Sequence, residues 1–195
     1  MEFSNLPEEA KKILTETSAF QEGHFKLTSG LHSEGYLQCA LILQHPELAE
    51  KIATELSEKF RSEKIDAVLT PAVGGIVLGQ EIARAIGCRA IFGERVNGDM
   101  TLRRGFSISP GEKILLAEDV VTTGGSVMEL KKIVLGNKAE VAGFTAVCNR
   151  SGGKFKPPEG LHPWISLTIE TWQPEECPLC KKGLPIQKPG SRKEK

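Results

Sequence analysis

The chain has 195 residues, of which 39% are hydrophobic and 26% charged, so it suits one ordinary globular domain with room for a small accessory lobe. Its 25 Lys and Arg residues balance its 25 Asp and Glu residues, which excludes a general electrostatic field for nucleic acid or membrane. No stretch approaches the ~18 apolar residues of a membrane span, and the acidic N-terminal segment does not resemble a signal peptide. We therefore expect neither a nucleic-acid nor a membrane partner, and any anion site must be local.

The cysteine content indicates the cellular compartment. Five cysteines are an odd number in a chain that is not small, which argues against a disulfide framework. We therefore expect a protein of the reducing cytoplasm.

The first third of the sequence predicts two helices on either side of a turn-rich segment. Residues 5–18 are predicted to form a helix with Asn5 as its cap and Pro7 in its first turn. Turn formers and short apolar alternations over about residues 20–43 predict short strands in a small lobe. Residues 46–60 carry apolar side chains at helical spacing, which predicts a second helix.

Strands and helices alternate through the rest of the core, about residues 46–170. The predicted strands are residues 66–70, 88–92, 113–117, 140–148 and 164–169, and the predicted helices are residues 76–86 and 126–135. This alternation predicts an α/β fold with a mostly parallel sheet covered on both faces. The polar segment 94–112 is long for a simple connection and predicts a functional loop. The tail, about residues 181–195, is predicted to fray.

Residues 114–129 (ILLAEDVVTTGGSVME) carry the strongest functional signal. An apolar strand ends in Glu118 and Asp119, and a turn rich in Thr and Gly follows. Ser126 and Glu129 match an S-x-x-E capping box, which predicts that a helix begins at Ser126. A glycine turn before a helix N-terminus is suited to anions because consecutive backbone N–H groups point into it. The segment therefore predicts a site for a phosphate monoester.

The two acids need a different ligand, because carboxylates and phosphates repel each other. Adjacent carboxylates suit vicinal hydroxyls, which donate hydrogen bonds, or a divalent cation. A phosphate beside a diol describes a ribose 5-phosphate; the alternative is a plain tight connection between a strand and a helix. Neither G-x-x-x-x-G-K-[ST] nor a G-x-G-x-x-G after a strand occurs, so ATPases and dinucleotide enzymes fit poorly.

Several segments together resemble one enzyme family. LLAEDVVTTGGS closely resembles the phosphoribosyl-pyrophosphate signature of type I phosphoribosyltransferases. Four further segments are similar to parts of orotate phosphoribosyltransferases: EGHFKLTSGLHSEGYLQCALIL to their N-terminal hood, PAVGGIVLGQEIARAIG to their pyrophosphate loop and helix, ERVNGDMTLRRGF to the mobile loop of one bacterial branch, and CNRSGG to the segment with an orotate-binding Arg. The resemblance covers most of residues 20–155. It implies a type I phosphoribosyltransferase fold with a hood, and formation of orotidine 5'-phosphate and diphosphate in pyrimidine biosynthesis.

The resemblance also assigns residues to the substrates. The implied ligands of the donor, phosphoribosyl pyrophosphate, are Val73, Gly74, Glu118, Asp119, Val120, Val121, Thr122, Thr123, Gly124, Gly125 and Ser126. The implied contacts of orotate are Thr122, Arg150 and Tyr36. Taken from the residues alone, Arg150 also fits a surface charge and Tyr36 a core position. The implied cofactor is Mg²⁺, held mainly by the substrate rather than by protein side chains.

Residues 94–108 resemble a lid that closes over the active site and completes the site of a neighbouring subunit. This likeness implies a homodimer with shared active sites. The segment offers Arg95, Arg103 and Arg104 as groups that stabilise the departing pyrophosphate, where better-known relatives carry Lys and His. Taken alone, Arg103 and Arg104 also fit a solvated turn. Which cation meets the pyrophosphate stays open.

The hood departs from the family pattern at its turn. Family members often carry a Lys there, whereas this chain has Thr28 in KLTSG. Lys26 lies two residues earlier, and whether it substitutes stays open.

Cys177 and Cys180 form a lone C-x-x-C motif. Structural zinc sites normally use four ligands, and the sequence has no second cysteine pair. His162 is a possible partner, as is a ligand from a second subunit, while a thioredoxin-like role lacks the expected context. His24 and His32 are predicted to be structural or surface residues rather than catalytic. We therefore predict no metal bound by protein side chains.

Two other functions stay open. One is a phosphoribosyltransferase for a purine or another pyrimidine, against which the hood and Arg150 argue only by resemblance. The other is a ligand-sensing regulator on the same fold. Such a regulator is expected to carry a DNA-binding segment or a basic RNA-binding face, and this neutral chain suggests neither.

Overall fold

The computed structural model of the chain describes residues 3–27 and 29–189. Thr28, which departs from the family pattern in the hood turn, and the tail residues 190–195 lie outside the described residues. The described chain forms a six-stranded core and a three-stranded lobe. No helix in these ranges is long and apolar enough to cross a membrane.

The helices and strands largely follow the predicted order. The helices are α1 (Glu8–Glu16), α2 (Ala40–Leu43), α3 (Pro46–Glu58), α4 (Gly75–Ile86), α5 (Gly125–Gly136) and α6 (Pro178–Lys181). The strands are β1 (Phe20–Lys26), β2 (His32–Leu37), β3 (Ala67–Pro71), β4 (Arg89–Val96), β5 (Asp99–Leu102), β6 (Lys113–Val121), β7 (Glu140–Asn149), β8 (Leu161–Ser166) and β9 (Thr171–Trp172). The predicted cap at Asn5 is wrong, because a 3₁₀ turn ends there. Pro7 instead occupies the N-cap of α1, where its missing N–H costs nothing.

The main sheet has the strand order β5-β4-β3-β6-β7-β8, and every pair except β4–β5 is parallel. The predicted mostly parallel sheet is therefore confirmed. From β3 the chain crosses through α4 to β4 on one side, whereas from β6 it crosses through α5 to β7 on the other. Since such crossovers are right-handed, α4 and α5 cover opposite faces. The strand order reverses between β3 and β6, and α/β sheets bind ligands at the carboxyl ends of such strands.

Strand β6 supplies both hydrophobic cores, because successive side chains of a strand point to opposite faces. Leu115 and Ala117 pack with α3, α4 and the lobe. Ile114 and Leu116 pack with α5 on the other face. All four are fully buried, and each Leu or Ile contributes about 1.5–3 kcal/mol by leaving water. This burial holds the end of β6 in a fixed position.

The predicted functional loop at residues 94–112 is partly wrong, because its first half is an antiparallel hairpin. Strand β4 extends to Val96 and pairs with β5 across Asn97 and Gly98. These two residues have φ angles of 54° and 98°, as tight two-residue hairpin turns require. An Asn-Gly pair is a strong local signal for such a hairpin.

The lobe is a small antiparallel sheet with the order β1-β2-β9. Its third strand comes from the C-terminal part of the chain, and no local sequence pattern indicates this pairing. The predicted fraying of the tail is wrong for residues 184–187. Gln187 donates a backbone hydrogen bond of 2.7 Å to the His24 carbonyl, and Lys26 donates one of 2.8 Å to the Gln187 carbonyl. The C-terminal segment therefore contacts both edges of the β1–β2 hairpin.

Candidate active site

A cavity of about 250 Å³ opens at the carboxyl end of β6, at the point where the strand order reverses. Its lining residues are Arg95, Glu118, Val120, Thr122, Thr123, Gly124, Gly125, Ser126 and Glu129. All of these except Glu129 were predicted as site residues. Among the predicted donor ligands from Glu118 to Ser126, Asp119 and Val121 do not line the cavity. The Val121 side chain is fully buried, so only its backbone is available to a ligand.

The turn between β6 and α5 depends on Gly124. This residue is the N-cap of α5 and has a φ of 76°, which favours glycine. A Cβ at this position would overlap the ring of Phe155, so the close approach also requires glycine. Gly125 and Ser126 form the first turn of α5 and line the cavity. The positive end of the helix dipole and its free N–H groups therefore face the cavity, as an anion requires.

The predicted capping box is wrong, because Gly124 rather than Ser126 precedes the helix. Ser126 lies inside the first turn, and its hydroxyl forms a hydrogen bond with the Glu118 carboxyl group. Glu129 pairs with Arg95, with 2.8 Å between Oε2 and Nη2. The two residues that matched the capping box therefore both contact site residues. Their spacing of three was the available signal, since residues three apart lie on one helix face.

The two adjacent acids lie on opposite faces of the sheet. Glu118 lines the cavity on the face covered by α5. Asp119 faces the other side, where its carboxylate packs against Gly74 so closely that a Cβ there would overlap it. The alternation of side chains along β6 explains this division. The acids therefore flank the end of β6 instead of forming a side-by-side pair in one cavity.

Both acids bind protons more tightly than usual. Burial raises the pKa of Glu118 to about 8, the Asp119 charge adds to this, and the Ser126 hydrogen bond and Arg95 oppose it. Burial also raises the pKa of Asp119, while a hydrogen bond of 2.9 Å from the Val120 N–H opposes the rise. A ligand that donates hydrogen bonds or brings positive charge would lower the pKa of both carboxyl groups, because either interaction stabilises the ionised form.

The loop after β3 lies on the Asp119 side of the crevice. Its Val73 side chain is 81% exposed, and Gly74 is also exposed. The Ala72–Val73 peptide bond is cis, and the Ala72 N–H donates a hydrogen bond of 2.8 Å to the Gly93 carbonyl. The predicted loop residues thus approach Asp119 directly, although they do not line the cavity that contains Glu118.

The three predicted arginines occupy different places. Arg95 lines the cavity and also donates a hydrogen bond of 2.6 Å to the Gly98 carbonyl. Arg104 lies outside the cavity, where its guanidinium donates two hydrogen bonds to Glu94, of 2.8 and 2.9 Å. Arg103 is exposed and also lies outside it. Of these three arginines, only Arg95 therefore lies next to Glu118 and the glycine turn of the same subunit.

Arg150 follows β7 and is held beside the end of β6 by a 2.7 Å hydrogen bond from its N–H to the Val121 carbonyl. Its Nε is buried and has no hydrogen-bond partner among the described residues. Burial lowers the pKa of its guanidinium. The pKa of Tyr36 is raised, first by burial and then by Asp119, with Arg150 opposing. Tyr36 therefore lies near both Asp119 and Arg150; that Tyr36 and Arg150 contact orotate stays a prediction.

The fold and this site define the chain as a phosphoribosyltransferase. Residues 40–179 match the family model of the phosphoribosyl transferase domain. A curated orotate phosphoribosyltransferase of Caldicellulosiruptor bescii is 51% identical over 183 residues, covering 94% of this chain and 96% of the relative. One of Chlorobium phaeobacteroides is 48% identical over 180 residues, covering 92% of this chain and 93% of the relative. The chain belongs to the orotate phosphoribosyltransferase family, which confirms the resemblance found in the sequence.

Solved structures share the fold at low sequence identity. The orotate phosphoribosyltransferase of Mycobacterium tuberculosis H37Rv aligns with a TM-score of 0.64 and 19% identity, covering 83% of this chain and 97% of that one. The Aeropyrum pernix orotate phosphoribosyltransferase aligns with a TM-score of 0.61 and 20% identity, covering 80% and 92%. An adenine phosphoribosyltransferase of Leishmania tarentolae gives a TM-score of 0.63 at 17% identity, covering 83% and 89%. The predicted type I fold is confirmed, and likeness at this identity concerns the fold alone.

Proposed function

We propose that this enzyme transfers the ribose 5-phosphate group of phosphoribosyl pyrophosphate to orotate, forming orotidine 5'-phosphate and releasing diphosphate. The observation that carries the proposal is the half-buried Arg150 near Tyr36, with a buried Nε that has no partner among the described residues. A desolvated guanidinium with a spare donor fits a planar anionic base such as orotate. Relatives about 50% identical over most of the chain carry the name of this activity.

The donor would span the end of β6. The 5-phosphate would bind the turn from Thr122 to Ser126, where the N-terminus of α5 faces the cavity. Glu118 and Asp119 would accept hydrogen bonds from the ribose hydroxyls, one from each face of the strand. Because the raised pKa of each acid reflects desolvation, such donors would favour its ionised form. The exposed loop at Val73 and Gly74 would present its backbone to the diphosphate.

Orotate would lie between the sheet and the hood. Arg150 would bind its carboxylate or a ring carbonyl, and Tyr36 would cover the ring from strand β2. Thr122 would contact both substrates because it follows directly after β6. Placing the base next to the donor in this way replaces a bimolecular encounter by a positioned one.

The reaction replaces the bond between ribose C1 and the diphosphate oxygen by a bond from C1 to an orotate ring nitrogen. The N–H bond of that ring nitrogen breaks as the new bond forms, and its proton passes to the departing diphosphate or to solvent, so we assign no protein general base. Arg95 would stabilise the negative charge on the departing diphosphate. The carboxylate and hydroxyl oxygens around the cavity also fit Mg²⁺, which prefers such ligands and would be held mainly by the substrate. When bound, Mg²⁺ neutralises charge on the diphosphate.

We further propose a cytoplasmic homodimer with shared active sites. Arg103 and Arg104 lie outside the cavity of their own subunit, so their charge would be useful only to a neighbouring site. The β4–β5 hairpin that precedes them extends the sheet at its edge, where it is available to a partner. The five free cysteines agree with a reducing compartment.

The function is tested by incubating the protein with phosphoribosyl pyrophosphate, Mg²⁺ and one base at a time, and following diphosphate release. Orotate should support release, whereas uracil and adenine should support little. Release with adenine or uracil but not with orotate would make the enzyme a phosphoribosyltransferase for another base. Binding of the donor without turnover on any base would favour the regulator.

A further inference from the structure

The C-terminal segment contacts the hood at two places, and its C-x-x-C motif lies between these two contacts in the sequence. Strand β9 pairs with β2 at His32 and Ser33. Fifteen residues after the end of β9 the chain returns along β1, where Gln187 bridges Phe25. Between these contacts, Cys177 is the N-cap of α6, and Cys180 lies within that short helix. The fold thus places the C-x-x-C motif next to the β1–β2 hairpin, although the motif and the hairpin are far apart in the sequence.

Two histidines of the hairpin face the two cysteines. His24 of β1 and His32 of β2 are both buried, as is Cys177, while Cys180 reaches the surface. One ligand atom from each of the four residues lies within 4.8 Å of all the others. His162, the partner considered from the sequence, is elsewhere: its ring packs edge-on against Phe60. Two histidines of the hood therefore lie where a second cysteine pair would be expected in a four-ligand site.

Four of the six distances between these ligand atoms come close to those of a tetrahedron around a metal ion, and the other two are no longer than 4.8 Å. A tetrahedral zinc ion with its usual bond lengths separates its ligand atoms by about 3.3 Å for N–N, 3.6 Å for N–S and 3.8 Å for S–S. Here His24 Nε2 and His32 Nδ1 are 3.0 Å apart. The sulfur–nitrogen distances are 3.5 Å from Cys177 to His24, 3.7 Å from Cys180 to His24 and 3.2 Å from Cys180 to His32. Chains of ordinary hydrogen bonds do not require all four atoms to converge on one point.

The surroundings of His24 also fit a metal ligand. Its Nδ1 lies 2.9 Å from the Leu184 carbonyl, which accepts a hydrogen bond when Nδ1 carries the proton. That tautomer leaves the Nε2 lone pair free to face the cluster. Metal-binding histidines commonly donate their other N–H to a carbonyl in this way, which fixes the ring orientation. The acceptor belongs to the same C-terminal segment as the cysteines.

We propose that His24, His32, Cys177 and Cys180 bind one zinc ion that fastens the C-terminal segment to the hood. Two thiols release their protons on binding, and the two thiolates balance the charge of Zn²⁺, so the site is neutral and tolerates burial. Sulfur and imidazole ligands in a tetrahedral arrangement are typical of zinc. Four protein ligands leave no open position, so the site is structural rather than catalytic.

The first test measures the metal content of the full chain, expressed without a histidine tag in zinc-supplemented medium. We expect one zinc per chain, at least a tenfold lower content in Cys180→Ser, and an unchanged content in the controls Cys88→Ser and His162→Gln. Cobalt(II) should give wild type, but not Cys180→Ser, the visible absorption of a tetrahedral thiolate site. Full zinc content in Cys180→Ser would overturn the proposal.

A second test uses the wild-type protein alone, so its result does not depend on whether the Cys180→Ser variant folds. Less than a tenth of a zinc per chain, with no saturable cobalt spectrum, would overturn the proposal. So would a chain mass lower by two hydrogens that maps to a Cys177–Cys180 disulfide. If the proposal holds, chelation lowers the Tm and speeds proteolytic cleavage between residues 173 and 187, and added zinc reverses both. These readouts do not depend on enzyme activity.

Discussion

The end of β6 and the hood meet over the proposed base site, yet they are built by different physical means. Strand β6 lies in the middle of a six-stranded sheet, with Ile114, Leu115, Leu116 and Ala117 fully buried on its two faces. The hood has three short strands, and the third, Thr171–Trp172, is only two residues long. Several of its buried positions are polar, including His24, His32 and Ser33. Apolar burial therefore stabilises the first region far more than the second.

The difference explains why the C-terminal segment returns to the hood. A sheet of this size buries too little apolar area to offset the entropy of ordering its chain. Small units of this kind usually gain stability from a cross-link such as a disulfide or a metal ion. The His-Cys cluster occupies the position where such a cross-link would act, between the hairpin and the segment that closes it. The catalytic end of the sheet needs no such device.

Arg150→Ala near the end of β6 and Tyr36→Phe on the hood compare the two regions, and Arg150→Ala should change the kinetics most. Each hydrogen bond to a charged group is worth about 1.5–3 kcal/mol, so we expect the KM for orotate to rise about 10- to 150-fold. The KM for phosphoribosyl pyrophosphate should change far less, because the phosphate turn is intact. Tyr36→Phe on the hood should change the orotate KM less than Arg150→Ala does. Steady-state kinetics with each substrate varied will show this; a larger effect of Tyr36→Phe would reverse the assigned roles.

Asp119→Asn tests the end of β6 without disturbing its packing. We expect kcat/KM for the donor to fall about tenfold or more, since one charged hydrogen bond becomes a neutral one. The Tm should not fall, because the amide keeps the shape of the carboxylate and burial already disfavours its charge. Glu140→Gln, at the exposed start of β7 and away from the carboxyl ends of the strands, is the control. Wild-type donor kinetics in Asp119→Asn would remove this residue from the donor site.

Mixing two impaired variants tests whether the arginines outside the cavity serve a second subunit. The lid variant carries Arg103→Ala and Arg104→Ala but keeps Arg95, which lines its own cavity. Mixed with Asp119→Asn at equal amounts, half of the dimers should be mixed, and half of their sites should carry no lesion, so roughly a quarter of full activity should return. No recovery after confirmed subunit exchange would contradict shared sites. Full activity of the lid variant alone would show that these arginines are not required.

Glu118→Gln should give the smallest effect, a change in how stability depends on pH. The pKa of Glu118 is about 8 in the folded protein and near 4.5 when unfolded, so between these values the folded state binds more protons. Stability therefore falls as pH rises from about 4.5 to 8. Glutamine has no proton to lose, so the variant should gain a few degrees in Tm at pH 8 relative to wild type, and less at pH 5. An equal difference in Tm at both pH values would mean that burial does not raise this pKa.

Much of the fold could be predicted from local patterns. The alternation of apolar strands and helices indicated the parallel sheet, and α4 ends at Ile86 as the predicted helix 76–86 does, with Gly87 as its C-cap at a φ of 84°. The hairpin at Asn97 and Gly98 has a local signal as well, the Asn-Gly pair, but the polarity of the segment favours a loop. Local patterns therefore indicate most of the helices and strands, and they are less reliable for caps and turns.

Contacts between distant residues could not be predicted in this way. The capping box at Ser126 and Glu129 fitted its sequence pattern, yet the tertiary partners Glu118 and Arg95 determine where these side chains point. The histidines near the C-x-x-C motif are more than 140 residues from it in sequence, so no spacing rule connects them. Such sites depend on topology, which a search for local motifs does not include.

The opposite orientation of Glu118 and Asp119 has a consequence for how this strand can vary among relatives. Inserting or deleting a single residue between Ile114 and Glu118 would turn both acids to the other face at once. The α5 side would then receive the side chain that now faces Gly74, and the reverse. The loop before β6 is less constrained, but the number of residues within β6 and in the turn that follows it is fixed. We therefore expect aligned family sequences to be free of gaps from Ile114 to Ser126, even where gaps are common before β6.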